Sequence, residues 1–186
     1  MRGLKIMFAA FLFIMIPFAA KGQRFTVATN IADIANLGTI NLETSYSIKQ
    51  NWSLFLQSGY NPFVYNYGQR DQFQHKSFSL SSGFRYWPWH CASGWFTGAK
   101  IQYTLYNYGG LISDKTEEGH GFAGGIFAGY AIMLTPNLNL ELGAGVLFGI
   151  RKYTLYDCPR CGGIIGKGSR PFIIPDNLII QLVYIF

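Results

Sequence analysis

Charged residues are scarce in this chain: Asp, Glu, Lys and Arg supply 13% of its 186 residues, about half the quarter usual in soluble domains. Disorder is excluded all the same, because 49% of the residues are hydrophobic and 17% aromatic, enough apolar surface to offset the entropy of ordering a chain. Long apolar runs are equally scarce. The longest, Ile6 to Ala20, has about 15 residues and falls short of the roughly 18 to 20 a membrane helix needs. Arg2 and Lys5 precede it and the small-x-small sequence Ala20-Lys21-Gly22 follows, so residues 1–22 read as a signal peptide and residues 23–186 as one mature domain. Removing 1–22 takes away Arg2, Lys5 and Lys21 and no acid, so the formal charge falls from +6 to +3. No basic cluster is left for nucleic acid, which is excluded as a partner.

What the mature chain does contain is alternation. Between Thr39 and Ile48, Ile40, Leu42, Tyr46 and Ile48 fall on one face and Asn41, Glu43, Ser45 and Ser47 on the other. Phe78, Leu80, Phe84 and Tyr86 likewise oppose Ser77, Ser79, Ser81, Gly83 and Arg85, and Leu138, Leu140, Leu142, Val146, Phe148 and Ile150 oppose Asn139, Glu141, Gly143, Gly145, Gly149 and Arg151. Period two is the signature of a strand with one greasy and one wet side. Strands of this length match tilted crossings of a hydrocarbon layer better than globular sheets. Eight are expected: Arg24 to Ile31, Gly38 to Ile48, Trp52 to Tyr60, Lys76 to Trp87, Trp95 to Asn107, Phe122 to Met133, Leu138 to Arg151 and Asn177 to Phe186. The predicted fold is therefore all-β, an eight-stranded antiparallel up-and-down transmembrane β-barrel.

The connections fit that topology, in which short periplasmic turns alternate with longer outer loops. Lys49 to Asn51, Pro88 to Gly94 and Leu134 to Asn137 are short; Asn61 to His75, Tyr108 to Gly121 and Lys152 to Asp176 are long, and Ala32 to Leu37 is a small outer loop. Trp52, Trp87, Trp89 and Trp95 all fall at the short-turn end, where indoles favour the headgroup region. Tyr60, Tyr65, Tyr106, Tyr108, Tyr153 and Tyr156 gather towards the opposite rim. The final segment, NLIIQLVYIF, alternates and ends on Phe186, a pattern similar to the sorting signal read by the barrel assembly machinery.

The stretches NLGTINLETSYSIKQNWSLFLQSGYNP, FRYW, EEGHGFAGGIFAGY and YDCPRCGG resemble a family of small outer-membrane barrel proteins of uncharacterised function from Gram-negative bacteria, some of whose members are encoded near fimbrial or adhesin genes. The resemblance covers nearly the whole mature chain and implies location and architecture. It carries over no catalytic residue. The matching positions are Asn61-Pro62, Arg85-Tyr86-Trp87, and Cys158 with Cys161.

The interior of an eight-stranded barrel is filled by its own side chains. Strand parity sends Glu43, Arg85, Lys100 and Glu141 inward, with Arg151 nearer the rim. Unpaired charge in a narrow interior is costly, so the four are expected to form one compensated lumenal charge network. Glycines at 124, 125, 129, 143, 145 and 149 are expected to make room for Phe96, Tyr106 and Phe127. Cys158 and Cys161 form CPRC in the longest outer loop, and Cys91 lies at the other end of the strands. The pair is a candidate loop disulfide, with a Cys2His2 zinc site using His75 and His120, or free thiols, as alternatives. Neither a cofactor nor a metal is called for.

These residues point to an outer-membrane protein with a structural or surface-interaction role, whose outer loops bind a partner without turnover. Its expected partners are outer-membrane lipid and lipopolysaccharide, the assembly machinery during biogenesis and a surface protein. The alternative is a lipid A-modifying acyltransferase or deacylase, with His75 and Ser77 working with Asp114, Glu117 or Glu118.

Overall fold

The computed structural model describes residues 25–35, 37–65, 73–109, 115–157, 163–176 and 178–186. Residues 1–22, expected to be a signal peptide, and Asp114, Cys158 and Cys161 lie outside them. Ten strands and one short helix follow in order: β1 (Phe25–Asn30), α1 (Ile31–Ala35), β2 (Ile40–Lys49), β3 (Trp52–Asn61), β4 (Val64–Tyr65), β5 (Phe73–Tyr86), β6 (Gly94–Gly109), β7 (Thr116–Thr135), β8 (Leu138–Tyr156), β9 (Ile164–Pro175) and β10 (Ile179–Ile185). Among the described residues no helix is long and apolar enough to cross a membrane.

All pairings are antiparallel within one sheet. Eight strands, β1, β2, β3, β5, β6, β7, β8 and β10, form a closed ring because β10 bonds β1 on one side and β8 on the other. Inward parity is fixed by the pleat: Ser53 and Phe55 on β3, Ser81 and Arg85 on β5, and Asn139, Glu141 and Leu147 on β8 are buried, while their neighbours Leu54, Leu80, Phe84, Leu142 and Val146 are exposed. Phe96 on β6 reaches over Gly129 on β7, where an added Cβ would lie 2.5 Å from the ring, and Phe127 fills the space beside Gly98 in the same manner. Side chain on one strand and none on its neighbour is what packs so narrow an interior.

Several expectations need correction. The connection from Lys152 to Asp176 is mostly strand: β8 runs on to Tyr156 and β9 returns beside it, pairing Arg151 with Arg170 and Val146 with Pro175. The connection from Tyr108 to Gly121 shrinks similarly as β6 and β7 extend to pair Gly109 with Thr116. The loop from Ala32 to Leu37 holds most of α1, and the loop from Asn61 to His75 holds β4. Trp87 lies at the short-turn end as expected but does not face outward; it continues the inward parity of Arg85, is 2% exposed and donates from Nε1 to Ser53 Oγ at 3.0 Å. Tyr106 also faces inward and is buried, so the upper tyrosines do not form a single outward girdle.

The ring is unequally closed along its height. β8 has two successive partners on one side, β10 over Leu138–Gly143 and β9 over Val146–Tyr156. β10 bonds β1 on its far edge, but among the described residues β9 has no second strand beside it, because β1 stops at Asn30 and the chain turns into α1. Between β9 and the Thr39 end of β2 the described residues make no ladder, which leaves a seam in the sheet, and α1, which packs on β10 and β2, lies beside it. Pro171 and Pro175 both lie on β9, in keeping with the confinement of proline to sheet edges. The amide of Asp176 donates to Gly145 O on β8 at 2.8 Å. Since successive amides along a strand point to opposite sides, the nitrogens of Pro175 and Pro171 face the seam.

Candidate functional site

The interior has a lower, filled tier and an upper, hollow one. In the lower tier Arg85 Nη1 lies 2.7 Å from Glu43 Oε1 and 3.8 Å from Glu141 Oε2, and Arg85 Nη2 donates to Glu43 Oε2 at 3.0 Å. Gln181 Nε2 donates to the same Glu43 oxygen at 3.0 Å, joining β10 to β2 and β5. The guanidinium also sits over the Phe55 ring, 4.7 Å from its centroid, with Phe96 and Phe127 next nearest. A planar cation can be held by carboxylates at its edge and aromatic faces above and below. Glu141 is among the most deeply buried side chains described.

Of the four predicted network residues, Glu43, Arg85 and Glu141 are thus brought together. Lys100 is not with them. Its Nζ meets Asp176 Oδ2 at 2.6 Å, one level nearer the open end. Asp176 falls in the break between β9 and β10, where no strand parity signals that it faces inward. Gln181 was missed because amides attract no attention in a search for charge, although it occupies an inward position of β10.

Beneath this network, Trp87, Phe55, Phe96, Phe127 and Ala131 form an apolar cluster with Cys91 packed against it. The loop between β5 and β6 folds across the ring's lower opening. Asn51 Nδ2 donates to Trp87 O at 2.7 Å and Asn139 Nδ2 to Ala92 O at 2.6 Å; Cys91 N donates to Gln50 O at 2.8 Å. Ala92 carries a positive φ of 62°, a conformation sparsely populated by residues with a Cβ, held here by the bond that its carbonyl accepts. Cys91 is a free thiol, and burial pushes its pKa up. The lower end is therefore stoppered, with little free volume left around the charges, a cavity of about 60 Å³.

The upper tier contains a cavity of about 220 Å³ whose walls differ. β5 and β6 contribute His75, Ser77, Ser79 and Thr104; β8 and β9 contribute Leu147, Phe172 and Ile174. His75 stacks on Tyr108 at 4.4 Å between centroids. Tyr106 donates to Glu117 Oε1 at 2.9 Å, while Arg170 Nη2 holds Glu117 Oε2 at 2.7 Å and lies over the Tyr153 ring. His75 and Glu117, considered for acyl transfer, therefore have other partners, and Glu118 faces outward. His120 also faces outward, against Tyr103, so the two histidines considered for zinc occupy opposite faces of the wall. Among the described residues no cluster of three or more His, Cys, Asp or Glu is placed to hold a metal.

Residues 7–186 match the family described as "Protein of unknown function (DUF3575)". No curated protein and no solved structure matches the chain.

Proposed function

The chain belongs to the DUF3575 family, whose description names no activity, and from its own geometry we propose that it is an eight-stranded outer-membrane β-barrel whose outer end binds a partner without turnover. One observation carries the reading: the burial pattern is inside out. The largest fully buried side chains are Glu141, Asn61 and Asn139, while Ile40, Leu54, Leu56, Trp95, Ile101, Phe122, Ile126, Phe148, Ile150 and Tyr184 are among a long series of exposed large hydrophobics. An apolar surface of that extent is stable only against another apolar phase. Its height is right for a bilayer. The exposed apolar residues of β7 run from Phe122 to Leu134, and twelve residue steps of about 3.4 Å at a tilt of 35–45° cover about 30 Å of thickness. Trp52, Trp89 and Trp95 sit exposed at the short-turn end, where an interfacial girdle would lie.

Binding is favoured over lipid A modification because His75 is stacked on Tyr108 and Glu117 is held by Tyr106 and Arg170. A base and an acid that are engaged elsewhere are poorly placed to activate an acyl-transfer nucleophile. Above the apolar band the β8–β9 hairpin projects Lys152, Lys167 and Arg170, cations suited to the phosphate groups of lipopolysaccharide or to an acidic protein surface. The test is fractionation of full-length protein with gel migration before and after boiling. Sedimentation with the outer membrane and heat-modifiable mobility are expected; a soluble species with a single mobility overturns the reading. An altered lipid A mass spectrum on deletion would restore the enzymatic alternative.

A further inference from the structure

The upper interior holds a cation for which the described residues supply no acid. Arg151 faces inward from β8 directly opposite Arg170 on β9. Arg170 is paired with Glu117, Lys100 with Asp176 and Arg85 with Glu43. No carboxylate among the described residues lies within ion-pair distance of Arg151, and its Nε is buried without a hydrogen-bond partner. Like charges facing each other across a ladder repel, and a buried donor left unsatisfied is destabilising. A bound anion would relieve both.

Below Arg151 the same wall turns apolar. Stepping down β8 and β9 towards the tight turns, the inward pairs are Arg151 with Arg170, Gly149 with Phe172 and Leu147 with Ile174. Gly121 on β7, also in the cavity wall, offers no side chain beside Phe172, and the Phe172 ring stands 5.5 Å from the Arg151 guanidinium. From Arg151 to Leu147 is four residues, about 13 Å along a strand. The cavity of about 220 Å³ bounded by this wall is below the roughly 300–1,000 Å³ of sites for drug-sized ligands, which selects a slender occupant. Thr39 and Pro175, on opposite sides of the seam, both line it.

We propose that this cavity binds a single-chain anionic amphiphile, a fatty carboxylate of medium length, with its head on Arg151 and its tail along Phe172, Leu147 and Ile174. The polar wall of Ser77 and Thr104 faces the head and the apolar wall takes the tail, an arrangement that discriminates against both small anions and uncharged chains. Access through the seam from a bilayer rests on the outer-membrane reading; the site itself does not.

The test uses the full chain held in a non-ionic amphipol and titrated with decanoate carrying a 13C carboxyl, followed by NMR. A saturable carboxyl shift at one equivalent is expected, weakened at least tenfold in Arg151→Gln, with decanol binding unchanged by that substitution. Ile174→Trp, which fills the tail groove and leaves the charge in place, should weaken decanoate and decanol alike. Retained heat-modifiable mobility shows that each variant is folded. The proposal is overturned if wild-type protein shows no saturable site, if Arg151→Gln binds decanoate as well as wild type does, or if acetate competes as effectively as decanoate. Protein that binds decanoate yet fractionates away from membranes would remove the bilayer route and leave the site standing.

Discussion

At the short-turn end all eight strands have neighbours on both sides and the interior is filled by Arg85, two buried acids and four aromatic rings. At the other end β9 has a neighbour on one side, and the interior is a cavity with an uncompensated arginine. The same eight-strand plan thus yields a rigid stopper and a hollow cup. The difference lies in what each strand has to pair with: β1 is six residues long and β8 nineteen, so the longer strands outrun the closure.

That contrast can be broken most severely at its arginines. Arg85→Ala should destabilise the protein by about 3 to 5 kcal/mol, because it strands Glu43 and Glu141 in a site closed to water; Arg151→Ala should cost less than about 0.5 kcal/mol, as at a site without a native partner. Denaturant unfolding in detergent measures both, and equal losses would abolish the distinction between tiers. Glycines make the next test. A Cβ on Gly129 would meet the Leu142 carbonyl and the Phe96 ring, whereas one on Gly166 meets nothing within 4 Å. Gly129→Ala is therefore expected to cost about 1 to 3 kcal/mol and Gly166→Ala to stay within about 0.5 kcal/mol of wild type.

Amide hydrogen exchange sharpens the comparison without mutation: β8 is paired to β7 throughout, but among the amides pointing to its other side, protection should fall from the Leu138–Gly143 half, paired through β10 to β1, to the Val146–Tyr156 half, paired there to the edge strand β9. Uniform protection along β8 would argue that the seam is closed in solution. The smallest effect is expected at Cys91. Its raised pKa leaves less thiolate at neutral pH than an exposed cysteine has, so alkylation should be slow near pH 7 and quicken as pH rises. The neutral thiol is the form that folding favours, so this contribution to stability is present below the unfolded thiol's pKa and is lost as pH climbs through the folded one. Alkylation of Cys91 at pH 7 as fast in the folded as in the unfolded chain would show that the stopper is loose.

Period two made much of the ring legible. A strand residue's parity leaves only two directions, and placing Glu43, Arg85 and Glu141 inside follows from their alternation with Leu42, Phe84 and Leu142. Trp87 was misplaced when residue preference was allowed to outweigh that parity. The stretch that forms β9 hid for a physical reason: Gly166, Gly168, Pro171 and Pro175 erase both strand propensity and alternation, and its pairing is supplied by the extension of β8. Asp176 was invisible because a side chain at a break between strands obeys no period. The unpaired state of Arg151 could not be read at all, since it depends on Arg170 taking Glu117, an acid that alternation alone places within reach of either.

The two prolines on β9 have a consequence for how copies of this protein meet. A second strand laid along the seam would look for backbone donors at positions 171 and 175 and find a ring carbon at each, so edge-to-edge pairing would start two hydrogen bonds short. Strand addition along this edge is thereby disfavoured, whether the incoming strand belongs to another protein or to a second copy of this one.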